Sequence, residues 1–148
     1  MVPLIRTGQR EVAGVNNASV PYLYSVLRLV PCLERGESIN IGLVMFCRPR
    51  RFLRVRSLVD SRRIAALAGD VDTDLIESQL GMYARIAEAD PAGGPVAGLD
   101  IGERFHWLTN VSNTMIQPGP VHTGLTTDAG ATFERLFGRL VAPVQPAP

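Results

Sequence analysis

A chain of 148 residues with a net charge of +1 is one domain's worth of protein, long enough to bury a core of its own. Hydrophobic residues make up 46% and charged residues 20%, which excludes a disordered chain, a coiled coil and a disulfide miniprotein. No apolar run approaches the roughly 18 residues of a membrane span, and MVPLIRTGQRE lacks the long apolar stretch of a secretory signal.

Residues 1–19 have no period and read as a flexible arm, residues 20–142 as a single α+β domain, and residues 143–148 as a disordered tail. Tyr22 to Val30 is β-branched and aromatic and stops at Pro31; Ile39 to Cys47 is similar. LERGES between them is a hairpin connection. Both strands are apolar on both faces, which predicts cover on both sides. Gly42 predicts a bulge or a close backbone approach. Arg51 to Val59 alternates, with Leu53, Val55 and Val59 on one face and Arg54 and Arg56 on the other, so one side is solvated or faces a partner. Together the three strands make an antiparallel meander.

Helices follow. Ser61 can cap a short one that turns Ile64 and Leu67 inward. Asp72 or Thr73 starts a longer one that runs through Glu88 at the 3.6-residue period. Residues 91–98 form a loop, ERFHWL fits a helix turn or a strand equally, and Thr114 to Gln117 reads as a short strand. PGPVHTGL reads as a loop with an extended core. Asp128 to Val141 is a final helix built on Phe133, Leu136, Phe137, Leu140 and Val141. The order predicts an antiparallel meander sheet with helices packed on it.

All fifteen basic residues are arginine, beside abundant Ala, Gly, Pro and Val, so arginine content itself carries little recognition signal. Its distribution carries more. Arg48, Arg50, Arg51, Arg54, Arg56, Arg62 and Arg63 crowd together with only Asp60 against them, and the stretch from Asp70 to Glu103 is acidic. The two stretches either attract each other within the fold or leave a basic patch for phosphate or a partner. Cys32 and Cys47 lack metal-ligand spacing and sit in strand patterns, as buried free thiols do. Their use points to the cytoplasm.

No catalytic motif is present, and no metal or cofactor is implied. What remains are polar residues in apolar frames. Arg28, mid-strand between Leu27 and Leu29, needs an edge, an anion, or an ion pair with Glu34, Glu37 or a helix acid. Glu34, Glu37 and Asn40 gather at the hairpin connection, either as a solvated turn or, with Asp60, as a crude imitation of a metal-dependent nuclease triad. Arg104, His106 and the single Trp107 are either a core anchor or a stacking and partner hot spot. Ser112, Gln117 and His122 end the series. A Ser–His pair without a third member or oxyanion donors is a weak nucleophile signal, and His122 reads first as a structural hydrogen-bonder.

YSVLRLVPCLERGESINIGLVMFC, RFHWLTN and IQPGPVHTGL, in that order, resemble an uncharacterised bacterial family, the domain-of-unknown-function 3037 family, over residues 21–141. The shared segments include Arg104, Phe105, Trp107, Leu108, Pro120, His122 and Gly124. The resemblance implies no reaction and no catalytic residue. Members of that family are often encoded beside HipA-like serine/threonine kinases, so the resemblance implies a kinase partner or a toxin–antitoxin-like pair. The expectation is a cytoplasmic accessory protein that binds another protein and not a membrane. A nucleic-acid-binding or nuclease-like protein that uses the arginine-rich third strand is the alternative, and a small enzyme using His122 and Arg104 is a third reading.

Overall fold

The β-branched and aromatic runs build the sheet, as their composition dictates. The computed structural model describes residues 18–110 and 115–144. β1 (Val20–Leu29), β2 (Ile39–Cys47) and β3 (Phe52–Ser57) form the expected antiparallel meander. Gly36, at φ 71°, takes the left-handed position in the first connection, and Arg51, at φ 49°, takes it in the second.

The short strand expected at Thr114 to Gln117 and the extended core expected within PGPVHTGL both pair with β1, so less of this segment is loop than expected. β4 (Ile116–Pro118) and β5 (His122–Thr126) both run antiparallel to β1, on the side away from β2. β4 lies along the C-terminal part of β1 and β5 along its N-terminal part. Pro118 stands opposite Leu27 and His122 opposite Tyr24, so four residues of the edge span three of β1. The two short strands are therefore halves of one edge strand with an extra residue at Gly119–Val121. Pro118 and Pro120 disguise it in the sequence.

The sheet is covered on both faces. α1 (Ser61–Ala68), α2 (Thr73–Ala87) and α3 (Ile101–Asn110) pack on one face, over Leu27, Leu29, Ile41, Val44, Phe46, Val55 and Ile116. α4 (Ala129–Leu140) packs on the other, where Phe133 and Leu136 meet Tyr22, Leu43, Met45 and Cys47. This is why β1 and β2 are apolar on both faces. Asp60, not Ser61, caps α1 by accepting from the Arg62 and Arg63 amides. Asp72 caps α2 and Asp128 caps α4 in the same way. ERFHWL lies within α3, and residues 91–98 form two short 3-10 turns. No helix among the described residues is long and apolar enough to cross a membrane. Ser112, Thr114, most of the N-terminal arm and the end of the tail lie outside the described residues.

Candidate functional site

The arginine face of β3 stays half-exposed, as its alternation predicts, and side chains of α4 border it. Arg56 makes a bidentate pair with Glu134, from Nη1 at 2.7 Å and Nη2 at 2.6 Å. Arg54 reaches the same carboxylate at 3.8 Å. Both guanidinium groups lie over aromatic rings, Arg54 over Phe52 and Phe133, Arg56 over Phe133 and Phe137. Hydrogen bonding from Arg56 pulls the Glu134 carboxyl below its ordinary value, and the same bond raises Arg56. Two of the seven arginines of this stretch, Arg54 and Arg56, thus pair within the fold, but their acid is Glu134, outside the expected acidic stretch from Asp70 to Glu103.

Arg104 is structural. It is buried, its Nε donates to the Leu99 carbonyl, and its Nη1 donates to those of Ile86 and Ala87. It thereby satisfies carbonyls at the C-terminus of α2, where a cation also suits the helix dipole. Trp107 stands apart from these bonds. That indole packs edge-on to Tyr83 and borders an open groove of about 400 Å³ with Arg48, Asp100, Glu103 and His106. Burial raises the Tyr83 phenol.

The hairpin residues separate. Glu37 pairs with its neighbour Arg35 at 2.8 Å, which lowers the Glu37 carboxyl. Asp60 is spent on the α1 cap. No group of three acidic, histidine or cysteine side chains among the described residues converges as a metal ligand set. Cys47 is buried as expected, but Cys32 lies beyond β1 and is exposed.

Three of the predicted residues do come together. Gln117 on β4, Arg28 on β1 and Asn40 on β2 stand in one cross-strand row, on the face that α4 covers further along the sheet. Asn40 Nδ2 donates to the Leu140 carbonyl at the end of α4, at 2.9 Å. Arg28 makes no ion pair with Glu34, Glu37 or any other described acid, and its buried Nε meets no acceptor. An unpaired buried donor costs about 1–3 kcal/mol, so the fold retains Arg28 at a loss.

Further along the same face, the His122 ring lies 5.1 Å from that of Tyr24, which stacks in turn near Tyr22. His122 is exposed and makes none of the hydrogen bonds expected of it among the described residues. The Tyr22 ring covers Gly124, where a Cβ would stand 2.5 Å from ring atoms. Only glycine allows this contact. Tyr24, Tyr22, Glu134 and Gly119 were not singled out by the sequence. The spacing of Tyr22, Tyr24, Val26 and Arg28, every second residue on one face, is the signal that finds the strip.

The site thus belongs to an α+β domain whose bulged antiparallel sheet carries helices on both faces. Its sequence matches the family model described as protein of unknown function (DUF3037) over residues 24–141, and the chain belongs to that family. No curated protein and no solved structure matches it.

Proposed function

We propose that this protein is a non-catalytic accessory subunit that binds another protein by accepting an extended segment alongside β5. The outer side of β5 carries the reading. No described residue pairs with it, it holds no lysine, arginine or acid, and Val121 and Leu125 beside and within it are 46% and 69% exposed. Edge strands are ordinarily blunted by charge, proline or cover, because an open one templates strand pairing. A partner strand would gain main-chain hydrogen bonds there, and apolar side chains at alternate positions would supply specificity. The kinase association implied by the family resemblance makes a HipA-like serine/threonine kinase the first partner to test.

Nucleic-acid binding on β3 has less to support it, because Glu134 opposes Arg54 and Arg56 and aromatic rings hold them. Co-expression with the HipA-like kinase, followed by size-exclusion chromatography with light scattering, tests the proposal. A stable complex is expected, and Leu125→Arg should disperse it without unfolding the protein. A complex that Leu125→Arg leaves intact contradicts the edge as its seat. A monomer that ignores the kinase and binds RNA or DNA with steep salt dependence reverses the choice between the two readings.

A further inference from the structure

We propose that Arg28, with Gln117 beside it, is a binding site for a carboxylate group. The site stands on β1, β2 and β4 and does not depend on strand addition at β5.

The first support is the register of the sheet. β1 pairs with β2 as Leu27 opposite Gly42 and then Arg28 opposite Asn40, so Ile41 is an extra residue. Without that shift Ile41 would stand opposite Arg28, and Asn40 would face Leu29 inside the apolar core. On the other side, the extra residue at Gly119–Val121 has the same effect. If the register of β5 ran on through β4, Pro118 would stand opposite Arg28 and Gln117 opposite Leu29. Two independent bulges therefore bring an amide to each side of one arginine and keep both amides out of the core. Bulges commonly re-aim side chains beside sites.

The second support is the state of Arg28. Its Nε is buried without an acceptor, while the residue as a whole is only half-buried. Glu37 is paired with Arg35, and Glu134 with Arg56. The Gln117 side chain also has no hydrogen-bond partner among the described residues. Gly119 packs closely beside the group, since a Cβ there would lie 3.7 Å from Nε and 3.3 Å from the Val26 carbonyl oxygen.

The donor set selects the ligand. One guanidinium between two neutral amides matches a planar monoanion, which takes two parallel N–H bonds from the fork. A phosphate dianion calls for a second cation, and the row has none; Arg63 is turned to the Val141 carbonyl at 3.3 Å. Val26 and Tyr24 continue the same face of β1, so an apolar or aromatic body attached to the carboxylate has a floor to lie on. Such a carboxylate comes either from a free organic acid or from the end of a peptide.

Nitrogen–proton correlation spectra of the arginine Nε–H groups test this, with the Arg28 signal assigned by its loss in Arg28→Gln. Benzoate, orthophosphate, a dipeptide with a free C-terminus and the same dipeptide amidated are titrated in turn. Saturable movement of the Arg28 signal by benzoate or the free dipeptide, and not by its amide, is expected. The tighter of the two names the source. Gln117→Ala and Arg28→Lys should weaken binding by about tenfold or more while the fold persists. Movement by phosphate alone overturns the carboxylate assignment. A signal that no probe moves, in a protein that remains folded, overturns the site.

Discussion

Arg54 and Arg56 share one face of the sheet with Arg28, and the two groups are treated in opposite ways. The β3 arginines have a carboxylate and three aromatic rings beside them. Arg28 has two amides beside it and no acceptor for its Nε. On the crowded, highly charged strand that looked like a docking surface, Arg54 and Arg56 pair within the fold while staying half-exposed. Arg28, half-buried in an apolar strand, is left with a buried Nε that no acceptor meets. Charge density along a sequence is a poor guide to which cation is available, because pairing is decided by elements far away in the chain.

The comparison breaks most severely at Phe133, which lies fully buried beneath Arg54 and Arg56. Phe133→Ala should cost about 3–5 kcal/mol in urea unfolding, and should free both arginines to bind polyanions in a salt-titrated assay. Gly124→Ala drives a methyl into the Tyr22 ring. It should cost about 1–3 kcal/mol and disturb the Tyr24–His122 pair, seen as a shift of the His122 ring signals, without touching Arg56. A smaller effect is expected at the ion pair. Arg56→Met should lower Tm by a few degrees at low salt and by less at high salt, as a half-exposed pair does.

The pH dependence follows from the same pair. The folded-state carboxyl of Glu134 lies below its ordinary value of 4.5, so the stability it contributes is fully present above that value. It is lost as pH falls through the lowered folded value. Wild type and Glu134→Gln should therefore differ in Tm near neutral pH and converge in acid. A difference that persists well below that range would contradict the assignment.

The meander, α2 and α4 were legible because their apolar residues keep one period each and their caps stand at the ends. α3 was not, because ERFHWL is short and its aromatic residues suit a strand as well as a helix. The edge strand was legible only in part: Thr114 to Gln117 reads as a short strand, but Pro118, Gly119 and Pro120 hide its continuation. Of the candidate residues, Arg28, Asn40 and Gln117 were each picked out as polar residues in apolar surroundings. Their assembly into one row was invisible, because it depends on two register shifts that no local pattern announces. Glu134 escaped for a related reason: it is 78 residues from Arg56, and nothing in either segment names the other.

Unfolding of Arg28→Met beside Arg56→Met, in the same buffer and without added carboxylate, tests the central contrast most directly. If Arg28 is held free of the fold's own pairing, its replacement by an apolar side chain of similar length removes an orphaned donor. The protein should then be as stable as wild type or more stable, while Arg56→Met loses stability. A loss in Arg28→Met equal to or larger than that in Arg56→Met would show that Arg28 holds the fold together, and would contradict the account.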